Sequence, residues 1–461
     1  MGDAYTSGET QLHNFDLAGA YETFLTQIED NQVNGSVPDC VPFYGGHCHL
    51  PSSPSWGTAY PSLANWVLEY YDDHVLVAKH YNKVQAYVDS LTARARVADK
   101  LNHTLLDSGG WGDWCAPTGS LNKSGCGGHG TCGGSWEYIS ALRIMVSWAR
   151  VKGVAADVAK YGALEAKVST AFTVAYYQDG GFTCSSTKTQ TANALGLMVA
   201  PTATGALGAL VADIQAKADH LDTGIVGTKY LFETLARGGR ADVALAVMSN
   251  PTYPGFGYWI GQGATSLWET WEGARYHPHS SWNHVMFGST TEFFFRHLAG
   301  IQQLPGTRGY TSLVFHPSVL LSSSTSGGLG GVCANLSWVN ATMVRPHGNI
   351  TANWACHASH DGIAYYEITT PVGVPQSRVH VPVAAHKGAK KVVVKEGTAE
   401  SRRVIFDGKG FVGKAVPGIL GAALAPDGLS VVVTIGSGRY LFSSAPPSSS
   451  TEMGEAPSPP A

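Results

Sequence analysis

The sequence predicts a two-part α and β chain, a half of paired α-helices followed by an antiparallel β-sandwich. Two observations carry that prediction. Apolar residues recur with the helical period from about residue 5 to 302, and beyond it the period changes to two. In the first half Leu63, Trp66, Val67, Tyr70 and Tyr71 fall at i, i+3, i+4, i+7 and i+8. Tyr138, Ala141, Leu142, Met145 and Trp148 mark a second helix with one buried face. Ser289 and Glu292 have capping-box spacing ahead of Phe293-Phe294-Phe295, so a helix is expected to start there. Paired helices without strand signals suit a bundle, a solenoid or a closed ring. Long Gly/Pro/Trp-rich loops at 40 to 60, 107 to 134 and 250 to 284 join them, and such loops on a rigid scaffold are where function tends to sit.

After Gly300-Ile301-Gln302-Gln303-Leu304-Pro305-Gly306 come short β-branched runs punctuated by Gly, Pro and Asp: Ile363 to Ile368, Val379 to Val383, Val392 to Val394 and Val431 to Ile435. The expected division is a helical domain over 1–302, a sandwich over 303–443 and a Ser/Pro-rich disordered tail over 444–461.

Composition narrows the function. Charged residues are 14% of the 461, against about 25% in an average globular chain, and Lys+Arg 30 against Asp+Glu 34 leaves no basic excess for a polyanion. Nucleic acid is therefore not an expected partner. No apolar run reaches the roughly 18 residues of a membrane span. Trp 12 and Tyr 20 beside few charges suit a neutral polar ligand such as a sugar.

Six Asn-x-Ser/Thr sequons (Asn34, Asn102, Asn122, Asn335, Asn340, Asn349) and eight cysteines point to the secretory route, although no signal is visible behind Met1. Cys40 with Cys48, Cys126 with Cys132, and Cys333 with Cys356 are close enough in sequence to bridge neighbouring loops or strands, while many other pairings are possible. His47-Cys48-His49, and Cys126 and Cys132 around His129, lack the paired spacing of a structural zinc site. No cofactor is expected, and for a structural divalent cation no ligand set can be named.

The densest chemical cluster is Trp268-Glu269-Thr270-Trp271-Glu272, preceded by Gly263-Ala264-Thr265 and followed by Ser281-Trp282-Asn283-His284. A carboxylate flanked by indoles is partly desolvated, which moves it toward a useful range for proton transfer. Indole faces also stack on the C–H faces of sugar rings. The same residues equally suit a helix end with core Trp and solvated Glu. Gly110-Trp111-Gly112-Asp113-Trp114 and Ser55-Trp56-Gly57 have a similar character, and three such loops on one scaffold can converge on a pocket. Phosphate-cradling, serine-elbow and zinc-protease motifs are missing from the sequence.

At these residues the chain resembles the bacterial-type α-L-rhamnosidases. The matches run in order through Gly2-Asp3-Ala4, Asn14-Phe15-Asp16, Trp56-Gly57, Gly112-Asp113-Trp114, Gln190-Thr191-Ala192 and His220-Leu221-Asp222-Thr223-Gly224-Ile225 with Gly227-Thr228. They continue through Tyr253-Pro254, Gly263-Ala264-Thr265 to Trp268-Glu269, Asn283-His284 with Phe287-Gly288, and Leu298-Ala299-Gly300-Ile301. The resemblance implies an (α/α) six-hairpin toroid and a C-terminal β-sandwich. It also implies inverting hydrolysis of terminal α-L-rhamnosides by an acid and a base about 6.5 to 9.5 Å apart. It makes Glu269 the general base, with Glu272 the lesser choice, and Asp3 a carboxylate that holds sugar hydroxyls. Trp56, Trp111 and Trp114 become aromatic walls, and Trp268 beside the base becomes a further substrate contact. His284 becomes a hydrogen-bonding partner of the base, and Asp113 orients its loop or a hydroxyl. The family's general acid lies in an Arg-Asp-Glu run about two helical turns ahead of the Asp3 position. The chain is accordingly expected to be incomplete at its start, without that acid, the first toroid helix and part of the second, and to turn over poorly as written. The implied partner is a rhamnose-containing glycoside or polysaccharide. The alternatives are another glycosidase or glycoside phosphorylase on the same toroid, or a saccharide-binding protein without catalysis.

Overall fold

The computed structural model describes residues 1–46, 48–98, 112–117, 130–184, 189–273, 280–321, 336–356, 363–383, 393–398 and 400–445. The chain divides into two compact units. The first comprises Met1–Leu12, Leu17–Gly238 and Val243–Thr290, the second His13–Asp16, Gly239–Asp242 and Thr291–Ala461.

The helices of the first unit are α1 (Gly2–Asn14), α2 (Ala18–Asp30), α3 (Pro54–Gly57), α4 (Ala59–Tyr71), α5 (His74–Ala98), α6 (Gly130–Lys152) and α7 (Ala155–Tyr176). A small hairpin of β1 (Tyr177–Gln178) and β2 (Gly181–Phe182) follows. Then come α8 (Gln190–Val199), α9 (Thr204–Ala216), α10 (Ile225–Arg237), α11 (Ala241–Ser249) and α12 (Phe256–Gly261), with a 3-10 turn over Val285–Thr290. They fall into two kinds. In α2 only Tyr21, Leu25 and Ile28 are buried, and in α7 only Tyr161, Val168, Phe172 and Tyr176, so each presents one stripe to the core. In α8 and α10 nearly every residue is buried, and α4 is covered over most of its surface. A helix buried all round must have neighbours on every side, so these form an inner layer.

That inner layer closes on itself. α4 packs on α6, α6 on α8, α8 on α10, and α10 on the 3-10 turn. Thr10 of α1 donates to the Gly288 carbonyl in that turn at 2.9 Å, and on its other side α1 meets α4 through the stacked Tyr5 and Trp66 rings. Polar and aromatic side chains fill the middle. The Tyr5 and Tyr230 hydroxyls are hydrogen-bonded, Tyr70 donates to Glu9 at 3.1 Å, and the Lys229 ammonium lies 4.8 Å from the Trp66 ring centre. Glu137 of α6 is fully buried among them, and burial holds its carboxyl well above the usual range.

The second unit begins with α13 (Thr291–Phe293) and a π-helical turn over Phe294–Leu298, and continues as a β-sandwich. Its strands are β3 (Ile301–Gln303), β4 (Leu313–Phe315), β5 (Trp338–Arg345), β6 (Gly348–Cys356), β7 (Ile363–Thr370), β8 (Ser377–Pro382), β9 (Val393–Glu396), β10 (Arg403–Phe406), β11 (Ile419–Leu424), β12 (Ser430–Ile435) and β13 (Gly438–Ala445). One sheet has the order β10-β9-β13-β7-β6-β5, the other β11-β12-β8-β4-β3. The pairs are antiparallel except β4 with β8, which runs parallel. Alternate residues such as Val379 and Val381, Val431, Val433 and Ile435, and Tyr366 and Ile368 are buried in the core.

Several local expectations are corrected. Ser289 lies in the 3-10 turn, and its buried hydroxyl has no hydrogen-bond partner, so the Ser289–Glu292 capping box does not form. Only one turn of α-helix precedes the π-helical turn at Phe294. Strand β13 takes in Ser444 and Ala445, and residues 446–461 lie outside the described ones. No helix among the described residues is long and apolar enough to cross a membrane.

Cys40 is bonded to Cys48, as the sequence spacing suggested. Cys132 is bonded to Cys184, not to Cys126, because α6 carries Cys132 to within 5.0 Å (Cα–Cα) of the segment after β2. Cys115 and Cys356 are also disulfide-bonded, while Cys126 and Cys333 lie outside the described residues. Non-reducing peptide mapping should recover Cys132 linked to Cys184. Removing that bond with Cys184→Ser should lower stability by about 2 to 4 kcal/mol in denaturant unfolding. A recovered Cys126–Cys132 peptide, or an unchanged midpoint, would contradict the pairing.

Candidate active site

The site gathers at the N-terminal end of α1. Asp3 lies in the first turn of that helix, and its Oδ1 is 2.8 Å from His284 Nε2. The other ring nitrogen of His284, Nδ1, stands 3.9 Å from Glu269 Oε2. One imidazole therefore bridges two carboxylates that are 266 residues apart in sequence.

Local backbone pairing sets this bridge. The Glu269 amide donates to the Ser281 carbonyl at 3.1 Å and the His284 amide to the Leu267 carbonyl at 2.8 Å. Ser266 Oγ donates to the Trp282 carbonyl at 2.6 Å. Residues 266–269 and 281–284 thus form two paired arms within the long loop expected over 250–284, and the alternative of a helix end at Trp268–Glu272 does not form. The Ser281 amide donates to Glu269 Oε2 at 2.7 Å, while Oε1 takes no hydrogen bond among the described residues. Behind the arms Trp268 is buried, with its ring 4.6 Å from that of the half-exposed Trp282 and 5.8 Å from that of Trp259. Trp268, expected to touch ligand, is buried beside Glu269. Glu272 Oε1 accepts from the Tyr253 hydroxyl at 2.7 Å.

The hydrogen bond to Asp3 and then the charges of Asp3 and Glu269 raise the His284 pKa above 6.5, although burial opposes them. The same hydrogen bond holds Asp3 below the usual carboxylate range. When protonated, this imidazole presents an N–H group toward each carboxylate.

The aromatic wall stands next to Asp3. Trp56, on the short helix α3 that Pro54 starts, lies so close to Gly2 that a Cβ there would stand 2.9 Å from its ring. Trp114 meets Trp56 edge to face, with centroids 6.2 Å apart. Both rings are half-buried, so each keeps surface to offer a ligand.

Asp113 fixes Trp114. It is buried, its Oδ1 accepts from the Gly227 amide at 2.8 Å, and its Oδ2 accepts from the Gly224 amide at 2.7 Å and from the Thr191 hydroxyl. Gly224 is the N-cap of α10, so Asp113 satisfies donors that the helix start leaves unpaired. The adjoining Trp114 carbonyl accepts from the Ile225 amide at 2.8 Å. Side chains cannot be tolerated on the facing glycines. A Cβ on Gly224 would stand 2.2 Å from the Trp114 oxygen, and one on Gly227 would stand 2.2 Å from Thr191 Oγ1. Both Asp113 oxygens are occupied, so of the two roles expected for it the loop-orienting one fits and hydroxyl binding does not. Burial pushes its carboxyl up to about 6, against the pull of its donors.

The site thus brings together Asp3, His284, Glu269, Trp56 and Trp114, and places Asp113 and Trp268 behind them. Trp111 lies outside the described residues. Ser281, Thr191, Gly224 and Gly227 were not foreseen as supports; the glycines were visible in the sequence, but their partners are about a hundred residues away. Among the described residues no group of three or more His, Cys, Asp or Glu is placed to hold a metal ion.

Comparison with known proteins gives a consistent picture. A family model described as the bacterial alpha-L-rhamnosidase 6 hairpin glycosidase domain matches residues 1–298. A protein named alpha-L-rhamnosidase from Formosa agariphila is 26% identical over 367 residues, 77% of this chain and 37% of that protein. One of the same name from Streptomyces avermitilis is 26% identical, over 77% of this chain and 32% of its own length. The chain thus spans about a third of the length of these relatives. Among solved structures, the alpha-L-rhamnosidase from Dictyoglumus thermophilum superposes with TM-score 0.79 at 30% identity, over 96% of this chain and 45% of that one. The Streptomyces avermitilis enzyme, complexed with L-rhamnose, shares the fold with TM-score 0.75 at 24% identity, over 96% of this chain and 38% of that one.

Two predictions follow from the geometry. Asp113→Ala leaves two buried amides unpaired, each costing about 1 to 3 kcal/mol, and should lower thermal stability well beyond a surface substitution; an unchanged unfolding midpoint would refute the capping role. For His284 the raised pKa means that the pair's stabilisation is complete below pH 6.5 and is lost as the pH rises through the folded value. An NMR titration of His284 should therefore show a midpoint above 6.5 that moves down in Asp3→Asn. Equal midpoints would mean that the bond to Asp3 is not what raises it.

Proposed function

Since the chain belongs to the bacterial alpha-L-rhamnosidase six-hairpin glycosidase family, we propose that the protein removes terminal α-L-rhamnose from a glycoside or polysaccharide by inverting hydrolysis. The observation that supports this most is the convergence of Asp3, His284 and Glu269 beside the Trp56 and Trp114 rings. The indoles accept the apolar face and methyl group of the sugar, and Asp3 takes its hydroxyls. Glu269 is the general base. Its Oε2 is held by the Ser281 amide, which leaves Oε1 to take a proton from the attacking water. His284 keeps the two carboxylates in register. The base works with a general acid on the opposite face of the glycosidic bond, about 6.5 to 9.5 Å away, and the resemblance puts that acid ahead of Gly2-Asp3.

Binding can be tested separately from turnover. Titration with L-rhamnose should produce a saturable change in tryptophan emission, and Trp56→Ala or Asp3→Ala should weaken binding tenfold or more. A response no stronger for L-rhamnose than for D-mannose or L-fucose would overturn the choice of sugar. The kinetic arm follows turnover. There Glu269→Gln should lower turnover of an aryl α-L-rhamnoside by about 100- to 10,000-fold, and unchanged turnover would remove Glu269 from the mechanism.

A further inference from the structure

The six-stranded sheet ends on β5, a strand paired on one side only among the described residues. An edge of this kind, with apolar side chains facing outward, invites pairing with another chain and is normally blocked. In β5 the side chains of Trp338, Asn340, Thr342 and Val344 alternate onto one exposed face, while Met343 and Arg345 are buried. Trp338 is 45% and Val344 70% exposed.

The same face carries two complete glycosylation acceptors. Asn340-Ala341-Thr342 lies along β5 itself. Asn349-Ile350-Thr351 begins on β6 directly opposite, with Asn349 paired to Val344 and Thr351 to Thr342. Both asparagines are exposed, and neither carboxamide is hydrogen-bonded among the described residues. Period-two geometry puts Trp338 and Asn340 on the same side, about 7 Å apart along the strand. A sugar leaving the Asn340 amide can therefore lie on the indole face. Asn349 faces Val344 across the hairpin at the distance of a cross-strand pair, about 5 Å. Disulfides at Cys40–Cys48 and Cys132–Cys184 independently favour an oxidising compartment, where such acceptors are modified.

We propose that Asn340 and Asn349 carry N-linked glycans whose core sugars cover Trp338 and Val344 and block the β5 edge. This modification is separate from the catalytic reading and stands or falls without it. The bulky polar glycan does what inward charges or a covering loop do at other sheet edges. The test starts from the protein purified from its own source. Peptide mass spectrometry after amidase treatment in heavy-oxygen water should show the Asn-to-Asp conversion that marks occupancy at both positions. Enzymatic deglycosylation of the folded protein should then cause a severalfold rise in apolar-dye fluorescence. That rise should be lost in a Trp338→Ser/Val344→Ser form secreted from a eukaryotic host. An unmodified asparagine at either position overturns the assignment there. Occupied sites with no change in dye binding, or a rise that persists in the double variant, overturn the covering role.

Discussion

A helix cannot begin in a protein interior unless something accepts hydrogen bonds from its first amides. At α10 that acceptor is Asp113, and much of the site depends on it. One buried carboxylate holds the Gly224 and Gly227 amides and the Thr191 hydroxyl of α8. It thereby ties two inner helices to the loop that carries Trp114. The arrangement explains why the residues facing Asp113 are glycines, since any Cβ there would collide with the loop it anchors. It also means that the aromatic wall is positioned by core chemistry rather than by the loop's own preferences.

A second constraint complements it on the other side of the site. Glu269 and His284 are placed by backbone pairing between two arms, and the half-buried imidazole then reaches Asp3 on α1. Each group is held through a neighbour that is itself held, which is what keeps a polar site preorganised on a scaffold. The closed inner layer supplies the rigidity, because α1 is locked between α4 and the 3-10 turn by Thr10, Tyr5 and Trp66.

Much of this was legible in the sequence because it is periodic or local. The α4 and α6 stripes, the change of period near residue 303 and the clustering of Trp with carboxylates are all short-range signals. Asp113 illustrates what was not. Its type and its Gly-rich surroundings suggested either a loop anchor or a sugar ligand, and only the fold, by bringing Gly224 and Gly227 against it, separates the two. Trp268 was ambiguous for a related reason. A Trp-Glu-x-Trp-Glu run suits either a ligand-facing loop or core indoles, and the pairing of residues 266–269 with 281–284 turns Trp268 inward. The Cys132–Cys184 bond was hidden likewise, since proximity in sequence favoured Cys126, whereas α6 and the β1–β2 hairpin decide the distance.

We propose that the Trp56–Trp114 wall and the Asp3–His284–Glu269 bridge enclose one sugar-binding position. A crystal of the protein soaked in L-rhamnose is the decisive experiment. The sugar should lie with its apolar face on the indoles and its hydroxyls on Asp3, within reach of Glu269. Rhamnose bound elsewhere, with these five side chains contacting only one another, would contradict it.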